Sequence, residues 1–205
     1  MGGRYPEGPH LYKKDGYYYL LLAEGGTEHG HHVTLARSHY LEGPYTPCPS
    51  NPILSHFNNE MQNSPIQGLG HADFVQAPDG SWWVIFLGYR THGYLQHVMG
   101  RETFLAPVQW EKGSWPVVNK NGTVQIDMDC KTLPQVKLPE EPETDDFSQT
   151  KLAWCWSYLC NPFFENYSLT ERKGYLRMKA SEKTIDQVGT CLLYTSPSPR
   201  DMRRS

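Results

Sequence analysis

Glu7 opens the stretch EGPHLYKKDGYYYLLLAEGG, directly before a Gly-Pro and a run patterned as a β-hairpin. A carboxylic acid at the mouth of a partly desolvated pocket has its charged form disfavoured and its pKa raised. Such a group stays protonated near neutral pH and can serve as a general acid. Gly8 and Pro9 fix the backbone behind it and leave no bulky side chain in the way of a ligand. The plainer alternative is an exposed carboxylate at a strand end. His71 stands between Gly70 and Ala72, small neighbours that let a ligand or an ion come close. A lone histidine is more often hydrogen-bonded structure than a metal ligand. Arg101, in MGRETFLAPVQW, offers a guanidinium that holds adjacent hydroxyls or a carboxylate in fixed geometry. Its alternative is an ion pair with Glu102 or with a neighbouring strand.

The run Glu28-His29-Gly30-His31-His32 suggests zinc at first sight. Strand alternation would send His29 and His31 to one face and His32 to the other. No HExxH or comparable third ligand accompanies them. The expectation is therefore one inward imidazole that touches a ligand hydroxyl, not a zinc centre.

These residues need elements to hold them, and a repeat supplies the elements. Asp15-Gly16 and Asp79-Gly80 lie 64 residues apart, and each joins an apolar-alternating strand to a second strand of aromatic and aliphatic residues. Eight residues before each Asp stand Glu7 and His71. A period of this length made of short strands is close to that of a β-propeller blade. The innermost strand of each blade lines the central axis, so Glu7 and His71 are expected as neighbours in a shared funnel. HGHHVTLARS reads as a further strand, and Tyr17, Tyr18, Tyr19, Trp82, Trp83 and Trp110 read mostly as blade-packing aromatics.

Composition agrees with many short strands. Of 205 residues, 13% are aromatic and 20% charged, with 18 Gly and 16 Pro. The net charge of −3 without a basic cluster argues against a nucleic-acid partner. No apolar run approaches the roughly 20 residues of a membrane-spanning helix, which argues against a membrane partner. MGGRYPEGPH lacks the apolar core of a secretory signal, and two N-x-S/T sequons, at Asn121 and Asn166, leave the compartment open. The cysteine spacing fits no zinc ribbon.

The expected layout is propeller blades over residues 1–131, a Pro/acidic linker over 132–144, and a truncated β-sandwich over 145–190. Residues 191–205, CLLYTSPSPRDMRRS, resemble a translated sequencing adapter and are set aside from the expected fold.

With these residues assembled, the chain resembles the family 43 glycoside hydrolases, in their β-xylosidase and α-L-arabinofuranosidase branch. The matching strings are EGPHLYKKDGYYYLLLAEGGT, VTLARS, GHADFVQAPDGSWW, GRETFLAPVQW, DDFS and NYSLTERKGYLR. The resemblance implies an all-β fold: part of a five-bladed β-propeller followed by the start of a C-terminal β-sandwich. It implies an inverting exo-glycosidase acting on xylose- or arabinose-containing plant oligosaccharides or polysaccharides, with β-xylosidase favoured over α-L-arabinofuranosidase. A non-catalytic carbohydrate-binding propeller is the rival from another class. In that frame Glu7 matches the general acid, Arg101 and His31 match sugar-contacting residues, and His71 matches an axial histidine beside a bound ion, often calcium. No organic cofactor is implied. The family's base and pKa-tuning aspartates precede the acid, whereas only six residues precede Glu7 here and none is Asp. The chain is accordingly expected to lack the N-terminal blades and to be inactive alone. Asp73, two residues after His71, and Asp79, in a hairpin turn, are not expected to replace them.

Overall fold

The computed structural model describes residues 2–58, 60–93, 95–129, 132–137, 142, 144–158, 161–184, 187, 190 and 193–195. Among them strands predominate and no α-helix occurs; one short 3-10 turn spans Phe164–Asn166. The chain divides into two units, residues 1–135 and 136–205, and the division falls inside the expected linker.

The first unit holds two four-stranded antiparallel sheets. One is built in chain order from β1 (Glu7–Lys14), β2 (Tyr17–Glu24), β3 (His32–Ser38) and β4 (Thr46–Pro47). The other follows the same order with β5 (Ile66–Gln76), β6 (Trp82–Arg90), β7 (Glu102–Gln109) and β8 (Val117–Val118). Each is an up-and-down sheet of the kind that forms a propeller blade.

The hairpin signals act as their chemistry dictates. Asp15 (φ +52°) and Gly16 (φ +81°) form the whole loop between β1 and β2, both left-handed, as a tight two-residue turn requires. The second hairpin is wider: residues 77–81 form the loop, and Gly80 alone takes the left-handed position that Asp79 does not.

One apolar core joins the blades. Tyr19, Leu21, Val33 and Leu35 of the first sheet pack with Ile66, Leu69, Val84, Phe86 and Ala106 of the second. Trp110, buried, lies edge-on to Tyr19 at 4.8 Å between ring centroids and also meets Tyr12, Phe74 and Trp82. Of the aromatics expected to pack blades, Tyr19 and Trp110 pack one blade against the other, with Trp82 beside Trp110. His56 closes the same unit: its Nδ1 lies 2.7 Å from the Ile66 carbonyl oxygen, and the Val124 N–H donates to its Nε2 at 3.0 Å.

The second unit is described in short pieces. β9 (Trp156–Tyr158) is followed by β10 (Tyr167–Ser168) and β11 (Arg177–Met178), which pair with each other. β12 (Leu193–Thr195) pairs antiparallel with β9. Leu-Tyr-Thr is a β-prone triplet, and the edge of β9 supplies the ladder it completes. Residues 196–205, and Cys130, Cys160 and Cys191, lie outside the described residues. Cys48 and Cys155 are free thiols.

Candidate active site

The site rests on irregularities in the two innermost strands. β1 breaks its register with β2 between Glu7 and His10, where Gly8 takes φ +54°. β5 breaks register with β6 twice, between Gln67 and Gly70 and between Gly70 and Asp73. Between the latter pair sits His71 at φ +48°, a conformation that costs a residue with a Cβ. Bulges of this kind bend a strand and re-aim a side chain. Here they aim Glu7 and His71 at each other: His71 Nδ1 lies 3.7 Å from Glu7 Oε1, each side chain nearly half exposed.

His31 completes the group from the residue before β3. One donor atom each of Glu7, His31 and His71 falls within 4.8 Å of the others. His31 is 1% exposed, and neither ring nitrogen closes a hydrogen bond of ordinary geometry. Burial pushes its pKa down, against the Glu7 charge and the nearby Gly68 carbonyl, which favour the proton. Two glycines make the approach possible. A Cβ at Gly70 would stand 2.3 Å from the His31 ring, and one at Gly8 would stand 2.7 Å from His71 Nε2.

Arg101 is exposed and borders a shallow open cleft with His71, Leu87, Glu102 and Thr103. The alternative ion pair with Glu102 is not formed, because Glu102 Oε2 lies 3.1 Å from Arg90 Nη2 instead. All four residues singled out in the sequence therefore face the same region: Glu7, His31 and His71 as one group, Arg101 beside His71. Glu7 is more exposed than the expected desolvated carboxylate, since its side chain keeps 45% of its surface open.

A second group was not foreseen. Tyr12 donates to Asp73 Oδ1 at 2.5 Å and accepts from the Phe74 N–H at 2.9 Å, while His10 Nδ1 lies 3.6 Å from the same carboxylate oxygen. Burial and the Asp73 carboxylate push the Tyr12 hydroxyl well above the ordinary tyrosine range. The signal was present in the alternation, since His10 and Tyr12 lie on one face of β1. What the sequence did not show was that Asp73 would cross the seam to meet them. Asp73 is thereby engaged in holding two blades together.

The donor chemistry of the first group is one carboxylate and two imidazoles. Calcium takes six to eight oxygen ligands, so these side chains do not by themselves make a calcium site.

Residues 1–116 match the description "Glycosyl hydrolases family 43". The chain belongs to that family. Residues 144–195 match "Beta xylosidase C-terminal Concanavalin A-like domain". The family 43 chain is 47% identical over 182 residues to the non-reducing end alpha-L-arabinofuranosidase BoGH43B of Bacteroides ovatus, covering 88% of this chain and 34% of that protein. It is 42% identical to a xylosidase/arabinosidase of Butyrivibrio fibrisolvens, covering 90% of this chain and 36% of that one. It is 34% identical to a beta-xylosidase of Bacillus subtilis, covering 86% and 34%. Among solved structures it superposes on Bacteroides ovatus Xyloglucan PUL GH43B with a TM-score of 0.86 at 43% identity, over 93% of this chain and 38% of that one. A xylan beta-1,4-xylosidase from Bacillus halodurans gives 0.82 at 37% identity, over 89% and 35%. The chain thus spans about a third of the length of the curated relatives it matches. Its two blades are part of the family's five-bladed propeller, and the strands beyond residue 144 begin the C-terminal sandwich.

Proposed function

We propose that this chain carries the general-acid side of an inverting exo-glycosidase that removes xylose or arabinose from plant oligosaccharides or polysaccharides. Glu7 protonates the departing glycosidic oxygen. Arg101 holds hydroxyls of the sugar being released, and His31 meets a hydroxyl of the same ring from the buried side. His71, 3.7 Å from Glu7, fixes where that carboxyl points. The observation that carries the reading is the convergence of Glu7, His31 and His71 from three separate segments, beside the Arg101 cleft, in a family 43 chain.

Inversion needs a second carboxylate about 6.5–9.5 Å from the acid, with room for a water between them. No residue of this chain is assigned that role, since Asp73 is held by Tyr12. The chain by itself is accordingly inactive. Calcium, which the resemblance placed beside His71, enters no step, because the donors present are not an oxygen cage.

β-Xylosidase is the favoured specificity, and the match of residues 144–195 to a beta-xylosidase C-terminal domain supports it. α-L-Arabinofuranosidase is the second reading, favoured by the 47% identity to an enzyme of that name. The test is hydrolysis of an aryl β-xyloside and an aryl α-L-arabinofuranoside by the 205-residue chain beside its Glu7→Gln variant. Turnover above that variant contradicts the claim that the chain lacks a base.

A further inference from the structure

Two N-x-S/T sequons stand in the chain, Asn121-Gly122-Thr123 and Asn166-Tyr167-Ser168, and the proposed hydrolysis uses neither. The fold treats them differently. Asn121 is exposed, just past β8, the last strand of its sheet in the order β5-β6-β7-β8. Its Oδ1 accepts the Thr123 hydroxyl at 2.6 Å and the Thr123 N–H at 3.3 Å. Its Nδ2 has no partner among the described residues. The backbone anchors this turn: the Gly122 N–H donates to the Val118 carbonyl at 2.9 Å, and the Gly122 carbonyl accepts from the Ser55 N–H at 3.0 Å. Asn119 Nδ2 closes it on the Thr123 carbonyl, also at 3.0 Å. We propose that Asn121 is a site of N-linked glycosylation and that Asn166 is not.

Asn166 is half-buried at the end of the 3-10 turn. Its N–H donates to the Phe163 carbonyl, and its own carbonyl accepts from the Lys179 N–H. Ser168, the hydroxyl of that sequon, lies in β10 and accepts from the N–H groups of Thr170 and Glu171. A transferase must seat the asparagine amide and the sequon hydroxyl together. Only at Asn121 do the two side chains already meet.

The step is a group transfer. Nδ2 bonds to C1 of a sugar carried on a diphosphate, and the C1–O bond breaks with its electron pair leaving on the diphosphate. One Nδ2 proton passes to a base of the transferase, and nothing is oxidised or reduced. The co-reactant is therefore a glycosyl diphosphate, linked to a lipid or to a nucleotide. With Oδ1 held by Thr123, Nδ2 is the open end of the amide, and a bulky sugar on this exposed turn displaces no packed side chain. The inference does not depend on the glycosidase reading.

The experiment has two arms. In one, the purified 205-residue chain is incubated with a soluble N-glucosyltransferase and UDP-glucose. In the other, the same chain behind a cleavable leader passes through a eukaryotic secretory host, where the donor is a lipid-linked oligosaccharide. Both arms are repeated on Asn121→Gln and Asn166→Gln, with thermal melts to show that each variant folds. Intact mass and peptide mapping read the outcome. The expected result, in at least one arm, is a single glycan at Asn121, lost in Asn121→Gln, kept in Asn166→Gln, and at least about tenfold more abundant than any at Asn166. The arm that gives it identifies the donor. No modification of Asn121 in either arm, or a comparable extent at Asn166, would overturn the inference.

Discussion

Gly70 and His31 are in contact across two blades, and the contact exists because Gly70 has no side chain. A Cβ there would meet the His31 ring at 2.3 Å, closer than side-chain carbons approach anything. Gly70 is not in the left-handed region, so the requirement is space, not backbone freedom. Gly70→Ala is predicted to destabilise the chain by about 1–3 kcal/mol, the usual range for overpacking. Urea denaturation measures it, and an unchanged midpoint would mean that His31 moves aside freely.

Tyr12 ties β1 to β5 through a single hydroxyl that both donates and accepts. Tyr12→Phe keeps the ring packing with Phe74 and Trp110 but strands the Phe74 N–H and removes a partner from Asp73. The expected loss is about 1 kcal/mol, since Asp73 is half open to water and recovers part of its hydrogen bonding there. Asp73→Asn should cost less than Tyr12→Phe, because Asn still accepts from the tyrosine.

His56 and His31 predict how stability depends on pH. Val124 donates to His56 Nε2, so Nδ1 carries the proton shared with the Ile66 carbonyl and the ring is neutral. Burial lowers the pKa of both histidines in the folded chain, chiefly by desolvation. Above the unfolded value of about 6.5 neither state binds the extra proton and stability is full. As pH falls below it the unfolded chain gains protons that the folded chain refuses, and stability declines. Glu24 opens a second, more acidic window. Burial raises its pKa, but the donors Gly3, Thr34 and Gly2 outweigh that and hold it low, so its contribution is lost below about pH 4.3. Denaturation midpoints from pH 8 to 4 should be level above pH 7 and fall from about pH 6.5. A flat profile down to pH 5 would contradict the neutral His56 anchor.

Two arginines flank Glu102, and they separate structure from function. Arg90 pairs with Glu102, whose side chain is only 10% exposed, so Arg90→Ala leaves a mostly buried carboxylate unpaired. That should cost about 1–3 kcal/mol. Arg101 is exposed in the cleft, and Arg101→Ala should change stability by no more than about 0.5 kcal/mol. Equal melting temperatures for the two variants would sink this division of roles.

Much of this organisation was legible in the sequence, for local reasons. Asp15-Gly16 specifies a turn through its own φ preferences, and the 64-residue repeat placed Glu7 and His71 in equivalent, facing positions. The remainder depends on non-local geometry. His31 sits one residue before β3, where strand alternation no longer applies, and its inward direction is set by Gly70 in the other blade. Arg101 was read with Glu102 as its alternative partner, and only the fold shows that β6 brings Arg90 there first. Leu193–Thr195 were set aside with the tail, and their pairing with β9 is a non-local contact that their own residues do not announce.

The account stands on Glu7 as the proton donor of a family 43 site, and one measurement reaches that directly. The chain would be joined behind the N-terminal part of the Bacillus subtilis beta-xylosidase, 34% identical to it, where the family resemblance places the carboxylates upstream of the acid. Hydrolysis of aryl β-xylosides with leaving groups of graded acidity is then compared between Glu7 and Glu7→Gln. The predicted result is a loss of about 10²–10⁴-fold in kcat/KM for the poorest leaving group, shrinking as the leaving group becomes more acidic and needs less proton donation. A Glu7→Gln variant as fast as the parent on every substrate would contradict the assignment.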